Sequence, residues 1–206
     1  NAPSPDPYQL VTTDSETDEL DRAVEAIRSL RGVDKVALLG WTGGGTRAGI
    51  YASRFPEKVE RLIIISSSGY NRHEDGPPAH LPEPGHPVRF ETRDHWEGRW
   101  RIEAKDQIEP GISDIVWMQS MESDRMGATW GPGGVRSPSH TYWGFRAPVA
   151  KRIACPTLVI SGELDSLNPR NAELYGAIGA SKKAFLSIAE ASHFMCWEKQ
   201  RRVLHK

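Results

Sequence analysis

A hydroxyl at the tip of a glycine-bounded turn is the first feature of this sequence that could do chemistry. Gly40-Trp41-Thr42-Gly43-Gly44 fits G-x-S-x-G, the nucleophile-elbow pattern, with threonine in the serine position. Such a turn joins a strand to a helix so tightly that a Cβ would clash where the two backbones meet. The hydroxyl then stands clear of the sheet beside the positive end of the helix, and the Gly43 N–H is free to face an oxyanion. A neutral hydroxyl is a weak nucleophile and needs a base within hydrogen-bond reach. Threonine departs from the pattern in two damaging ways. Its β-branch raises the cost of a strained backbone, and its methyl crowds the face on which substrate arrives. Three readings of Thr42 stay open: a native threonine nucleophile, a dampened form of a serine enzyme, and a purely structural turn.

The elements around this turn have the required order. Val36 to Leu39 is an apolar run that reads as a strand buried on both faces, Arg47 to Arg54 has helical character, and Pro56 stops it. Leu62 to Ile65 is a second buried strand, so strand, helix and strand form a βαβ unit with parallel strands. Upstream, Leu20, Ala23, Val24, Ile27 and Leu30 keep helical spacing over roughly 16–31. Ser15-x-x-Asp18 before them suggests a capping box and Gly32 a C-cap. Residues 1–14, with three prolines, read as an extended segment. Downstream, Pro156 to Gly162 and Ala184 to Ile188 read as strands, Pro169 to Ile178 as a helix, and Trp197 to His205 as the start of a terminal helix.

Residues 70–153 break this alternation. Asn71 to Val88 and Trp130 to Ser139 are dense in proline and glycine and read as loops. Helices are predicted over 92–107 and 111–126, with a short one within 139–151. Five of seven tryptophans (Trp96, Trp100, Trp117, Trp130 and Trp143) fall here, a skew that belongs to a local feature.

From Val36 onward the chain resembles the later half of an α/β-hydrolase. The resemblance implies an α/β fold with a parallel sheet and a helical cap inserted after the sixth strand. The core would comprise 1–69 and 154–206, with the cap at 70–153. It also implies the order nucleophile, acid, histidine, which falls on Thr42, Asp165 and His193. Asp165 follows its strand in Gly162-Glu163-Leu164-Asp165, with Glu163 as local competitor, and His193 follows the last strand in Ala191-Ser192-His193-Phe194. Asp165 would orient His193 and stabilise its cation. Gly43 would be one oxyanion donor, and Trp41 would either line the pocket or pack under the elbow. The other histidines (His73, His80, His86, His95, His140 and His205) read as surface or satisfied core residues. The implied activity is that of an esterase, lactonase or amidase on a small acyl substrate, without a cofactor. The tryptophan-rich cap suggests an apolar or aromatic substrate.

The strands identified correspond to the fifth to eighth of that family. The first four, and the loop that lends a second oxyanion donor, have no counterpart here, so a companion polypeptide is expected to supply the N-terminal half of the sheet. A net charge of −1 gives no global basic field, and nucleic acid is not expected as a partner. No apolar run approaches the roughly 18 to 20 residues that span a bilayer, so no membrane partner is expected either. No cluster has metal-ligand spacing and the turn lacks the G-K-[ST] of a phosphate loop, so neither metal nor nucleotide is anticipated. Cys155 and Cys196 read as two packed thiols and not as a disulfide framework.

Overall fold

A computed structural model describes residues 11–76, 88–104, 106–129, 133–138 and 140–205. The stretch 1–10, most of the 71–88 loop with His80 and His86, Trp130 and the Trp100 side chain lie outside the described residues. The chain opens with β1 (Val11–Thr12) and α1 (Thr13–Arg31), followed by β2 (Val36–Trp41), α2 (Gly43–Arg54) and β3 (Val59–Ile65). The central stretch holds β4 (Val88–Glu91), α3 (Arg93–Ala104), α4 (Ile112–Ser123), β5 (Val135–Pro138), β6 (His140–Thr141) and α5 (Ala147–Ala150). It is followed by β7 (Thr157–Gly162), α6 (Asn168–Ala177), β8 (Lys183–Ile188) and α7 (Arg201–Leu204).

The main sheet has the order β2-β3-β7-β8 among the described residues, and every neighbouring pair is parallel. Trp41 lies opposite Ile65, Ile65 opposite Ile160, and Gly162 opposite Ile188. This register brings the C-terminal ends of all four strands to one rim. Side chains alternate between the faces of each strand. Leu62, Ile64 and Val159 point to one face, where they pack with Val24 of α1, Ile50 and Tyr51 of α2, and Leu174 of α6. On the other face Ile65, Ile160 and Ile188 are covered near the rim by Ala191, Met195 and Trp41.

Leu204 of α7 packs against the same cluster, but below the rim that second face is mostly bare among the described residues. Ala37 and Ala184 are exposed, Leu39 is 65% exposed and Leu186 41% exposed. The expectation that Val36 to Leu39 is buried on both faces is therefore corrected: Ala37 and Leu39 are exposed, whereas Val36 and Leu38 pack against the core cluster on the opposite face.

Helix α1 begins at Thr13, a turn before the expected cap. Thr12 Oγ1 accepts the Ser15 N–H (3.2 Å) while Ser15 Oγ accepts the Thr12 N–H (2.9 Å), a reciprocal pair that satisfies two orphan donors. Gly32 ends the helix in the left-handed conformation, as its type foretells.

The central stretch differs more. Its two long helices are present, but β4 and β5 form an antiparallel ribbon, β5 lying where a loop was expected. The Arg136 N–H and guanidinium both bond the Asp124 carboxylate, fastening β5 to the end of α4. The short helix within 139–151 shrinks to α5, because β6 pairs with β1 and Gly144 takes a positive φ of 83°. The terminal helix contracts to α7, because 194–200 folds in turns about the buried Glu198.

Candidate active site

Thr42 is the single residue between β2 and α2, and its backbone is strained, with φ 50° and ψ −117°. Such a conformation costs on the order of 1–3 kcal/mol and persists only where surroundings over-determine it. Here they do. The Thr42 N–H donates to Ile65 O (2.9 Å), and its carbonyl accepts from Gly45 (3.1 Å), Thr46 and Ser68 (3.3 Å each). A Cβ on Gly40 would stand 2.2 Å from Gly44 O, and one on Gly45 would stand 3.1 Å from Ile64 Cγ2. Gly44, the second glycine of the pattern, has open space where its Cβ would be. The compression therefore falls on Gly40 and Gly45. The Gly43 and Gly44 N–H groups, at the start of α2, have no backbone acceptor among the described residues.

On the same rim the loops after β7 and β8 bring Asp165 and His193 together. His193 Nδ1 lies 3.3 Å from Asp165 Oδ2, at the long end for a hydrogen bond. Both residues are buried, at 3% exposure for Asp165 and 4% for His193. Burial acts to raise the pKa of Asp165. The bond to His193, the polar Ser66 side chain beside it and the Leu167 N–H (2.8 Å) outweigh that and hold it below the ordinary 3.8. The Ser66 hydroxyl faces the carboxylate outside good hydrogen-bonding geometry, and Ser66 itself sits at a positive φ of 46°. Glu163, the local competitor, is turned away and accepts the Glu190 N–H (3.1 Å). No hydrogen bond joins Thr42 to His193 among the described residues. The structure thus pairs Asp165 with His193 and puts Thr42 on the same rim without linking it to the imidazole.

Trp41 packs against this pair. Its indole N–H donates to the His193 carbonyl (3.0 Å) and its ring lies 5.5 Å from the imidazole, 6.2 Å from Phe194 and 5.1 Å from Trp197. Trp96 of α3 joins Trp197 at 6.2 Å, so the cluster ties the central insertion to the histidine loop. Trp41 stays half-buried, with surface left for a pocket wall. Trp143, by contrast, is buried beside α1, where its N–H donates to Thr13 Oγ1.

Sequence reasoning missed Ser192 and Glu198. Both are fully buried and bonded to each other beneath the histidine loop. One signal was available: a carboxylate directly after Phe194-Met195-Cys196-Trp197 is out of place unless buried with partners. Two hollows line other parts of the molecule. One of about 380 Å³ runs along the open edge of β2, past Leu38, Leu39 and Arg47, and one of about 540 Å³ lies on the sheet past Ala37, Ile63 and Leu158. Neither contains Thr42, Asp165 or His193. No group of three or more His, Cys, Asp or Glu residues could hold a metal among the described residues. Both thiols are free, and burial pushes that of Cys196 up to about 11.

A strand-to-helix elbow at one strand end and an acid–histidine pair at two others define a class of fold, and comparison bears this out. The family model of the alpha/beta hydrolase fold matches residues 2–200, and the chain belongs to that family. Human serine hydrolase BPHL is 27% identical over 150 residues, covering 72% of this chain and 44% of the relative. The mouse protein of that name is 25% identical over 148 residues. This chain spans less than half the length of these curated relatives. Among solved structures, the monoacylglycerol lipase of Paleococcus ferrophilus superposes with a TM-score of 0.59 at 15% identity, over 94% of this chain and 74% of that one. A meta-cleavage product hydrolase (CumD) gives 0.58 at 16% identity, over 98% and 72%. At such identities the likeness shows the fold alone.

Proposed function

We propose that this protein is a hydrolase of carboxylic esters, lactones or related acyl bonds, working through Thr42, His193 and Asp165. The observation that carries the reading is the buried His193–Asp165 pair on the same rim as an elbow whose Gly43 N–H has no backbone acceptor among the described residues. Thr42 Oγ1 attacks the carbonyl carbon while His193 Nε2 takes the hydroxyl proton. Asp165, accepting the Nδ1–H, fixes the tautomer and stabilises the imidazolium. The Gly43 N–H stabilises the oxyanion of the tetrahedral intermediate, with a second donor from the companion polypeptide. Collapse expels the alcohol, which takes the proton from His193, and water then releases the acid by the same steps. No cofactor is needed. Residues 70–153 act as a cap over the core formed by 1–69 and 154–206. The substrate is a small acyl compound with an apolar or aromatic group, in keeping with the Trp41, Phe194, Trp197 and Trp96 cluster.

A second reading is favoured by Thr42 itself: a fold that binds a small molecule and turns it over slowly or not at all. A β-branched residue at φ 50° without a bond to the imidazole fits a dampened serine site. Hydrolysis of p-nitrophenyl esters separates the readings. For a native threonine nucleophile, Thr42→Ala and His193→Ala each lower kcat by about 10³-fold. For a dampened serine enzyme, Thr42→Ser raises the rate by on the order of 10²-fold or more. Equal rates for the wild type and His193→Ala would remove the triad from the account.

A further inference from the structure

Glu198 is fully buried, at 0% exposure, and the ion pairs of the described residues do not include it. A carboxylate in such a place is costly unless hydrogen bonds satisfy it. Among the described residues the carboxylate bonds one residue, Ser192. Glu198 Oε2 accepts the Ser192 N–H (2.9 Å), and Oε1 accepts the Ser192 hydroxyl in a short bond. Ser192 Oγ in turn accepts the Phe194 N–H (3.1 Å). The residues on either side of His193 are therefore tied to one hydroxyl, and that hydroxyl is tied to Glu198. Trp41 holds the His193 carbonyl from the other side.

The turn 192–194 belongs to no strand or helix ladder; among the described residues it is otherwise held by the Trp197 N–H on Phe194 O (2.9 Å) and by the packing of His193 and Phe194 on Trp41. It follows Glu190, which takes a positive φ of 54°, and leads into the turns 194–200. A loop without a ladder of backbone bonds relies on side-chain bonds to fix its orientation. The His193–Asp165 contact is already at 3.3 Å, so a small rotation of the turn would break it.

We propose that Glu198 is a positioning residue: through Ser192 it fixes the 192–194 turn and so holds the His193 imidazole against Asp165. The consequence for catalysis rests on the acyl-hydrolase reading above, whereas the consequence for His193 geometry does not. The chemistry favours a carboxylate over its isosteres. Ser192 offers two donors, and a glutamate accepts both. A glutamine accepts one and turns an NH2 toward the other, and an alanine leaves both unpaired in a buried site.

The test uses Glu198→Gln, Glu198→Ala and Ser192→Ala in the full protein, with p-nitrophenyl ester kinetics and the downfield proton resonance of His193 Nδ1–H. Displacing a catalytic group by about 1 Å can cost on the order of 10²-fold. We expect kcat to fall about tenfold in Glu198→Gln and Ser192→Ala and about 10²-fold in Glu198→Ala, with KM within about twofold. The Nδ1 resonance should broaden or vanish in the same order. A variant that loses thermal stability yet keeps wild-type kcat and the wild-type resonance would reduce Glu198 to a packing role and overturn the proposal. If Glu198→Ala does not fold, Ser192→Ala decides, since it keeps the Ser192 N–H bond and removes only the hydroxyl. If the wild type shows no turnover the acyl-hydrolase reading fails by itself, and the resonance alone decides whether Glu198 positions His193.

Discussion

Asp165 owes its ionisation to its neighbours, and that gives its pairing with His193 a pH signature. Its folded-state pKa lies below the ordinary 3.8, so the ionised form is favoured in the native protein. A carboxylate of this kind contributes stability that is complete above its unfolded pKa and lost as pH falls through its folded value. Measured in the chain joined to the segment that completes its sheet, wild type and Asp165→Asn should therefore differ in urea midpoint by a constant amount from about pH 5 upward. The difference should narrow below pH 3.8. A gap that widened on acidification would mean that burial, not the bond to His193, governs the carboxyl. At this scale the sequence was informative wherever a residue is marked by its place at a strand end, as Thr42, Asp165 and His193 are. Ser192 and Glu198 carry no such mark. Their bond spans six positions through a turn, and no periodicity announces it.

Elements built on one periodicity were legible too: α1 from its helical spacing, β3 and β7 from their apolar runs. The β4–β5 ribbon was not. Its strands are four residues each, and β5 lies in a stretch whose glycines and prolines read as loop. What holds β5 to α4 is the Arg136–Asp124 pair, a contact no local window contains. The elbow was recognised as an element, yet the pattern gave its second glycine a task that belongs to Gly45. A paired substitution separates these. Gly40→Ala would drive a Cβ to 2.2 Å from Gly44 O, backbone against backbone, and should cost about 3 kcal/mol or more. Gly44→Ala meets open space inside the first turn of α2 and should be neutral or stabilising by up to about 1 kcal/mol. Chemical denaturation of the two variants, in the chain joined to the segment that completes its sheet, checks the contrast, and equal losses would show that the elbow is not held by close approach at Gly40.

At the scale of the whole molecule, the helices α1, α2 and α6 pack on one face of the sheet, and α7 reaches the other through Leu204. Sheets with only parallel strands are ordinarily covered on both faces. Here the second face is covered only in part among the described residues, by Trp41, Ala191, Met195 and Leu204 of α7, which leaves Leu39 and Leu186 exposed. Strand β2, which leads into the elbow, has β3 on one side and an open edge on the other among the described residues. An open apolar edge is a template for further strand pairing. We propose that a companion polypeptide supplies strands beside β2, covers the bare face and completes the oxyanion site. The hollows along the β2 edge and on the bare face would be its seats. The 44% share of the curated relatives that this chain spans leaves them ample length for such a part. Residues 1–206 expressed alone should then bind a hydrophobic dye and unfold gradually with heat. A large apolar side chain left exposed, such as Leu39, forgoes about 1.5–3 kcal/mol of burial against a domain stability of roughly 5–15 kcal/mol, so a bare face and an open edge suffice to abolish a cooperative transition. Joining the chain to a segment that forms the neighbouring strands should restore a sharp transition and remove the dye signal. A monodisperse monomer of 22.9 kDa that unfolds in one cooperative step by itself would show that β2 tolerates its open edge.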